Sequence, residues 1–270
     1  MNNSHLPAVA NVLYLSHGGG PLPLLGDAGH TELAATLKTI VTKITKPAAI
    51  IVISAHWEEN VPTITHASHP SLIYDYYGFP EEAYAIEYPA PGNPELASQV
   101  FSLLEDKGIN ATLDDKRGFD HGLFVPLKIM FPEADVPCIQ ISLCKGLDPL
   151  QHIKIGQALA ELKTENLLII GSGFSFHNLH AFFAPADYET QELNQAFENW
   201  LIETCSDKMF DEESRMSRLV NWESAPAARY CHPREEHLLP LHVCYGVSQR
   251  PCKEVFTLEI MGKKASMYLW

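Results

Sequence analysis

The chain has 270 residues, and its 19 basic and 33 acidic residues give it a formal net charge of −14 at pH 7. This acidic balance argues against the backbone of a nucleic acid or an anionic membrane surface as a partner. The N-terminal residues carry no basic leader, no apolar run reaches the roughly 18 residues of a membrane span, and the six cysteines form no C-x-x-C pair. We therefore expect a cytoplasmic protein with reduced cysteines.

Short apolar runs that predict strands alternate along the chain with amphipathic stretches that predict helices. The predicted strands are residues 9–15, 48–54, 61–66, 109–113, 136–143, 167–170, 255–260 and 267–270. The predicted helices are residues 31–45, 94–107, 123–131, 149–163, 187–220 and 235–247. Residues 72–94 are rich in aromatic residues and proline without a clear period, and they are predicted as a long loop. The alternation predicts a single α/β domain over residues 1–270, with a central mostly parallel or mixed sheet flanked by helices.

A run of three glycines, Gly18 to Gly20, follows the first predicted strand in the sequence SHGGGPLPL. A dinucleotide or phosphate loop would need a helix or a G-K-[ST] ending after such glycines. Pro21 and Pro23 prevent a helix from starting there at once, and no lysine follows. The histidine before the glycines, His17, is therefore the more informative residue.

Histidines follow three separate predicted strands. His17 follows the first strand, His56 follows the strand at 48–54, and His177 follows the strand at 167–170. Ligand and catalytic groups of open α/β sheets gather at the carboxyl ends of the strands, so these imidazoles are expected at one edge of the sheet. A lone histidine at a strand end is usually a hydrogen-bonded surface residue without a functional role. To explain all three histidines in this way would require three separate coincidences. The sequence therefore predicts a metal or catalytic site at the C-terminal edge of the sheet.

Two further segments add histidines to this set. RGFDHGLFVPL places His121 before a predicted helix, and HPREEHLLPLH contains His232 and His237. The last two are five residues apart, about 140° around a regular helix, so at most one of them is expected to join the site. Pro240 indicates that the backbone near His237 is irregular or that the regular helix starts later. The histidines assigned to the surface or to packing are His5, His30, His66, His69, His152 and His242.

The histidine side chains limit which metal ions the site could bind. Imidazole nitrogen suits zinc, iron and copper. No cysteine lies directly beside His17, His56, His121, His177 or His237 in the sequence, which disfavours a closed structural zinc site. Three or four nitrogen ligands with open coordination positions indicate catalysis, either by zinc-bound hydroxide or by a non-haem Fe(II) that binds substrate and oxygen.

Six motifs occur in the following order: SHGGGPLPL, SAHWE, YDYYGFPEEAY..EYPAPGNPELA, RGFDHGLFVPL, GSGFSFHNL and HPREEHLLPL. Together they resemble the class III extradiol ring-cleavage dioxygenases, in the DOPA 4,5-dioxygenase-like branch, from His17 to about Leu241. The resemblance implies an α/β fold with a mixed sheet and the metal at one edge. It also implies an oxidoreductase that inserts O₂ into a catechol-type ring, DOPA or another dihydroxyphenyl compound, at a non-haem Fe(II), with Zn(II) as an alternative ion. The partners would be the catechol and O₂, and we expect a monomer or a small homo-oligomer.

The resemblance also implies a set of metal ligands. His17 and His56 match the two family histidines that bind the metal at strand ends. The third ligand of the wider superfamily is a glutamate at the start of a late helix. At the matching place this sequence offers His237, with Glu236 and His232 as alternatives.

Other residues are expected to act on the substrate. His177 matches the family histidine that serves as acid and base near the metal, and it can approach as a fourth ligand. His121 matches a second active-site histidine that hydrogen-bonds the substrate or oxygen. The aromatic stretch offers Tyr76 and Tyr77 for contact with the substrate ring. Three arginines are candidates for contact with a substrate carboxylate: Arg117, Arg229 and Arg234.

Two other functions are compatible with the same histidines. A zinc hydrolase could use them with Glu58 or Glu236 as the general base. A protein without enzymatic activity could use them only to hold a metal. Oxygen consumption distinguishes an oxygenase from a hydrolase, and turnover of any kind excludes a purely metal-binding role.

Overall fold

Eight strands form one mixed sheet in the computed structural model, which describes residues 11–184 and 187–270. The strands are β1 (Asn11–Ser16), β2 (Ala49–Glu59), β3 (Thr63–Thr65), β4 (Thr112–Asp114), β5 (Cys138–Cys144), β6 (Leu167–Gly173), β7 (Glu254–Ile260) and β8 (Lys263–Leu269). Their order in the sheet is β4-β3-β5-β2-β6-β1-β8-β7. The neighbouring strands β5, β2, β6 and β1 are parallel, whereas β8 is antiparallel to β1 and β7, and β3 is antiparallel to β5. The predicted α/β class with a mixed sheet is confirmed.

Helices cover this sheet. They are α1 (Thr31–Val41), α2 (Pro94–Asp106), α3 (His121–Met130), α4 (Pro149–Leu159), α5 (Leu179–Phe183), α6 (Tyr188–Ser206), α7 (Glu212–Val220), α8 (Ala228–Cys231) and α9 (Leu239–Ser248). The helix α9 packs against α4, β6 and β1, and α3 packs against β2, β6 and α1. Every residue of β5 and β6 is buried, as expected for strands covered on both faces. None of the helices in the described ranges has both the length and the apolar character to cross a membrane.

The predicted helix at 187–220 is in fact two helices, α6 and α7, because the backbone turns between Asp207 and Asp211. The Asp207 carboxylate accepts a hydrogen bond from the N–H of Met209 at 2.8 Å. The Asp211 carboxylate caps α7 by accepting from the N–H of Ser214 at 2.7 Å. Such side-chain bonds compete with the helical hydrogen bonds of the backbone. The prediction of one continuous helix was wrong for this reason.

The last predicted helix starts later than expected, at Leu239. The carbonyl oxygen of His237 accepts hydrogen bonds from the N–H of Phe174 and from the Tyr14 hydroxyl, both at 3.0 Å. These two donors occupy an acceptor that a regular helix would use, and Pro240 has no N–H to donate to the helix. The irregular backbone that Pro240 predicts near His237 is confirmed.

The other predicted elements are present, with ends that differ by a few residues. β2 is the main exception, because it continues to Glu59, beyond its predicted end at residue 54. Residues 9 and 10 of the first predicted strand and His5 lie outside the described residues.

Candidate active site

Five histidine side chains lie together at the carboxyl ends of the parallel strands β1, β2 and β6. Nε2 of His17 is 2.9 Å from Nε2 of His56. The ring centre of His237 lies 5.3 Å from that of His17 and 4.9 Å from that of His56. The ring of His121 lies 3.9 Å from that of His56, and the ring of His177 stacks on His237 at 3.4 Å, measured between ring centres. The structure therefore brings together the five histidines that the sequence analysis placed in one site.

His17 directly follows β1, and its N–H continues the pairing with β6 by donating to the carbonyl oxygen of Gly173 at 2.9 Å. Its Nδ1 is 3.0 Å from the Ser172 hydroxyl oxygen, which lies 2.5 Å from the carbonyl oxygen of Gly122. Because a carbonyl can only accept, the Ser172 hydroxyl donates to it and accepts from Nδ1–H of His17. Nε2 of His17 therefore carries the free lone pair that a metal requires.

His56 lies in a β-bulge of β2, where the register against β5 shifts just after Ser54. Bulges of this kind redirect side chains. The Ser54 hydroxyl accepts from the N–H of His56 at 3.1 Å and donates to the buried Asp120 carboxylate at 2.8 Å. A Cβ at Gly122 would lie 2.7 Å from the Ser54 hydroxyl and 3.2 Å from the His56 ring. The glycine of the DHG motif thus leaves room for His56 beside α3.

Asp75 fixes the orientation of His121, the first residue of α3. One carboxylate oxygen of Asp75 accepts from the N–H of His121 at 3.1 Å and from its Nδ1 at 2.7 Å. The other carboxylate oxygen lies 3.8 Å from Nδ1 of His56. Burial opposes ionisation of Asp75, but the hydrogen bonds from His121 outweigh it and hold the pKa of the carboxyl below its usual value. The sequence analysis missed Asp75, although it is the one carboxylate in the aromatic motif YDYYGF.

Glu236 contacts both of the stacked rings. One of its carboxylate oxygens is 3.0 Å from Nδ1 of His177 and 3.0 Å from Nδ1 of His237. Burial opposes ionisation of Glu236, but the hydrogen bond from His177 helps to hold the pKa of the carboxyl below its usual value. The charged carboxylate therefore holds the Nδ1 side of both imidazoles. Carboxylates in this position orient metal-binding histidines in many proteins.

His232, an alternative to His237 in the sequence analysis, lies away from the cluster. It is fully buried, with its ring centre 5.3 Å from Phe197 and 6.0 Å from Trp222. Its Nε2 donates to the carbonyl oxygen of Ser175 at 2.7 Å, and its Nδ1 has no partner among the described residues. The segment from 232 to 237 forms turns, so the angular argument for a regular helix does not apply. Of the two histidines, His237 lies in the cluster and His232 does not, which is within the expectation that at most one of them would join it.

Burial should make His232 a source of acid instability. Burial lowers the pKa of His232 to about 3, against about 6.5 in the unfolded chain. Between these values only the unfolded chain takes up the proton, so stability falls as the pH falls from about 6.5 towards 3. From pH 7 to pH 5 we expect the wild type to lose about 2 kcal/mol more unfolding free energy than His232→Gln. Urea unfolding of both proteins at both pH values measures this difference. An equal loss of unfolding free energy in the wild type and in His232→Gln would contradict the prediction.

Three of the clustered imidazoles are suited to hold a metal ion: His17, His56 and His237. Burial lowers the pKa of all three well below the usual histidine value, and the charges of neighbouring imidazoles lower it further. The neutral form with a free lone pair is the form that binds metals. Two nitrogens that share one ion at about 2.1 Å lie roughly 3.0–3.4 Å apart. The 2.9 Å between the Nε2 atoms of His17 and His56 is close to this range.

A cavity of about 680 Å³ opens beside the five histidines, and it is lined mainly by apolar side chains. Tyr76 and Tyr77 both line it. The Tyr76 hydroxyl donates a hydrogen bond to the carbonyl oxygen of Ala83 at 2.6 Å. Because the hydroxyl is engaged in this bond, Tyr76 presents its aromatic ring to the cavity. Tyr77 lies at the mouth and is 92% exposed.

Of the three candidate arginines, only Arg234 lines the cavity in the described residues. Its two terminal nitrogens donate to the two carboxylate oxygens of Glu58 at 2.5 and 2.6 Å. Arg117 instead donates to Asp120 at 3.1 Å and stacks over Trp57. The third candidate, Arg229, forms ion pairs with two glutamates outside the cavity, Glu223 and Glu235.

Two glycines of the GSG motif in β6 allow the His237 segment to approach the sheet. A Cβ at Gly173 would lie 2.0 Å from the carbonyl oxygen of His237, and a Cβ at Gly171 would lie 2.4 Å from that of Pro240. No side chain fits at either position without moving the backbone that carries His237. The sequence analysis used this motif only for the resemblance.

We expect Gly173→Ala to lower the unfolding free energy by about 1–3 kcal/mol and to weaken metal binding, because the added methyl group displaces His237. Gly146→Ala is the matched control, since a Cβ there meets nothing within 4 Å. Urea unfolding and Zn(II) titration compare the two variants. Wild-type metal affinity in Gly173→Ala would show that the close approach does not position His237.

The glycine run after β1 is held by His30, which the sequence analysis assigned to surface or packing. His30 is buried, and its Nε2 accepts from the N–H of Gly19 at 2.9 Å while its Nδ1 lies 2.7 Å from Asp27. Gly18 has a φ of +84°, and a Cβ there would lie 2.7 Å from the His30 ring. The glycines therefore form a wall of the cavity.

Comparisons with known proteins identify the family of the chain. The family model described as the catalytic LigB subunit of aromatic ring-opening dioxygenase matches residues 4–267. The chain is 39% identical to the dioxygenase tasH of Hapsidospora irregularis, over 97% of this chain and 86% of that protein. It is 38% identical to a 4,5-DOPA dioxygenase extradiol of Beta vulgaris, over 89% of this chain and 87% of that protein.

A solved structure shows the same fold. The crystal structure of an uncharacterized protein from Escherichia coli K12 superposes with a TM-score of 0.76 and 26% sequence identity, covering 96% of this chain and 99% of that one. The family model, for its part, leaves only a few residues at each end unmatched. The chain therefore belongs to the class III extradiol aromatic ring-opening dioxygenases, the family of the LigB catalytic subunit.

Proposed function

We propose that the enzyme cleaves a catechol-type ring, that of DOPA or another dihydroxyphenyl compound, with O₂ at a non-haem Fe(II). The observation that carries this proposal is the convergence of the imidazoles of His17, His56 and His237 beside a large, mainly apolar cavity. The relatives named 4,5-DOPA dioxygenase extradiol support the dihydroxyphenyl class.

In this proposal His17, His56 and His237 hold the ion, and His177 can approach as a fourth ligand. A ferrous ion held by these imidazoles would supply the open coordination positions and the redox chemistry that a reaction between a catechol and O₂ requires. Zn(II) also fits three imidazoles, but it has no redox chemistry, so it would occupy the site without supporting ring cleavage.

His177 and His121 would act on protons and charge. Glu236 occupies Nδ1 of His177, which leaves Nε2 to accept a phenolic proton and return it later. Asp75 occupies Nδ1 of His121, which leaves Nε2 to hydrogen-bond the substrate or oxygen. Both histidines line the cavity, so each lies within reach of a bound ring.

The walls of the cavity would position the ring. Tyr76 would contact it through its aromatic face, because its hydroxyl is bonded to Ala83. Tyr77 and Arg234 would contact the parts of the substrate that extend towards the mouth. Arg234 would do so as one half of its ion pair with Glu58.

We further propose that residues 1–270 work as one catalytic domain, as a monomer or a small homo-oligomer in the cytoplasm, with neither nucleic acid nor membrane as a partner. The single sheet that runs through the described residues supports one domain. All six cysteines are buried and free, which supports a reducing compartment. The net charge of −14 supports the absence of polyanionic partners.

Asp75→Asn should lower kcat roughly ten- to hundredfold while the metal stays bound, because it removes the charge that orients His121. Asp115→Asn is a matched control, since Asp115 makes the same contact with the surface residue His66 at 2.6 Å. Steady-state oxygen uptake and metal analysis of both variants measure this. A kcat of Asp75→Asn equal to that of the control would contradict the orienting role.

The test of the proposed function begins with metal-free protein loaded with Fe(II) under anaerobic conditions. L-DOPA, caffeate or protocatechuate is added, air is admitted, and oxygen uptake is recorded together with the visible spectrum. We expect a yellow product and one O₂ consumed per catechol, with no reaction in Zn(II)-loaded protein. No oxygen uptake with any catechol would contradict the proposal.

Both carboxylates that a hydrolase could use as the general base, Glu58 and Glu236, are engaged by other side chains. Glu58 is bound through both carboxylate oxygens to Arg234. Glu236 is bound to the two stacked histidines. The family of the chain also favours the oxygenase over this alternative.

A further inference from the structure

The mouth of the active-site cavity carries three large apolar side chains that are exposed to solvent. Tyr77 is 92% exposed, Leu179 is 61% exposed and Phe183 is 82% exposed, and all three line the cavity. The other large exposed apolar residues of the described ranges lie outside it: Tyr84, Leu150, Tyr188 and Met209. Scattered exposed apolar residues need no explanation, but a group around one opening indicates a binding surface.

Apolar side chains also continue inward from this rim. They are Leu22, Phe79, Phe174, Phe182 and Met261. The cavity volume of about 680 Å³ equals the share of roughly twenty water molecules in the liquid, which is far more than one dihydroxyphenyl ring fills. The space between the histidines and the mouth is therefore suited to a second apolar group attached to the ring.

The charges at the mouth disfavour an anionic substituent. Arg234 is the one lysine or arginine that lines the cavity in the described residues. Glu58 binds both of its terminal nitrogens, and Glu236 lies 3.4 Å from one of them. A substrate carboxylate would share Arg234 with Glu58 and would lie near two carboxylates.

The helix that carries two of the exposed apolar side chains lies close in sequence to His177, the candidate acid and base. The helix α5, which carries Leu179 and Phe183, begins two residues after His177. The Asn178 side chain caps α5 by accepting from the N–H of Ala181 at 3.2 Å. A group that lies on α5 is therefore held at a fixed place relative to His177.

From these observations we propose that the substrate is a catechol with a bulky, uncharged apolar substituent, which lies between Tyr77 and the α5 side chains Leu179 and Phe183. This inference rests on the proposed function and names its substrate class. An amino-acid or carboxylate side chain on the ring would bind less well.

Three probes that share one catechol ring test the inference: caffeate, methyl caffeate and phenethyl caffeate. The first is an anion, the second is neutral and short, and the third is neutral and carries a second apolar ring. We expect kcat/KM to rise along this series, with at least a tenfold gain from methyl to phenethyl caffeate, an estimate of order of magnitude from the apolar area buried. Calorimetric Kd values on Zn(II)-loaded protein should follow the same order.

Three variants test which side chains select the apolar substituent. Phe183→Ser should reduce the preference for phenethyl over methyl caffeate about five- to tenfold. Met209→Ser removes an equally exposed apolar side chain outside the cavity and should leave this preference unchanged. Glu58→Gln frees Arg234 and should shift the preference towards caffeate.

The inference would be overturned if wild-type protein bound caffeate as tightly as phenethyl caffeate or more tightly, with a kcat/KM for caffeate that is equal or higher. An equal loss of preference in Phe183→Ser and Met209→Ser would also overturn it. If no probe consumes oxygen, the proposed function fails, whereas the Kd series on Zn(II)-loaded protein still decides whether the cavity selects apolar substituents.

Discussion

Replacing His237 by alanine is expected to weaken metal binding by more than about a hundredfold and to abolish oxygen uptake at micromolar Fe(II). The reason is that loss of a ligand costs more than loss of the groups that orient a ligand, which typically lowers affinity ten- to hundredfold. Equilibrium dialysis against a chelator, followed by metal analysis, measures the affinity. Oxygen uptake measures the activity of the same samples.

His232→Gln is the matched control for this variant. His232 is the other histidine of the HPREEH motif, but it is buried away from the cluster and bonded to Ser175. It should keep the metal and the activity, with a change only in stability. Metal loss in His232→Gln together with full metal content in His237→Ala would refute the proposed ligand set.

Replacing His177 by alanine is expected to lower kcat by about 10²- to 10⁴-fold, the usual contribution of a general acid and base. The Fe(II) should stay bound, because His17, His56 and His237 remain. Single-turnover oxygen uptake with a saturating catechol measures the loss of rate, and metal analysis of the same samples shows whether the Fe(II) is retained.

His180→Ala is the control for this second variant, since His180 is an exposed histidine three residues along the chain. It should behave like the wild type. If His177→Ala loses the metal, the role of His177 as a fourth ligand dominates. An unchanged kcat would exclude it as the acid and base.

The succession of strands and helices along the chain, and the edge of the sheet where the histidines gather, could be predicted because both follow from local patterns. Apolar runs of four to eight residues mark the buried strands, and chain order with parallel pairing puts their carboxyl ends at one edge. His17 comes directly after such a run and His177 follows one at a short distance, so their meeting follows from the fold class. The motif order then adds His121 and His237.

The remaining residues of the site could not be predicted, because their roles depend on contacts between distant segments. Asp75 orients His121 across 46 residues of sequence, and Ser172 fixes the tautomer of His17 across 155 residues. No periodicity or local spacing carries such a pairing. The break between α6 and α7 was missed for a different reason, since the aspartates that cause it are also common on helix surfaces.

The hydrogen bond from the Tyr14 hydroxyl to the carbonyl oxygen of His237 joins residues 223 positions apart. The histidine cluster therefore combines a residue that directly follows the first strand with a segment that lies far along the sequence. A ribosome-bound chain that stops before residue 237 holds His17 and His56 but not the third imidazole. With the proposed ligand set, only a chain that extends past residue 237 would offer all three imidazoles to the iron, and a shorter fragment would carry an incomplete site.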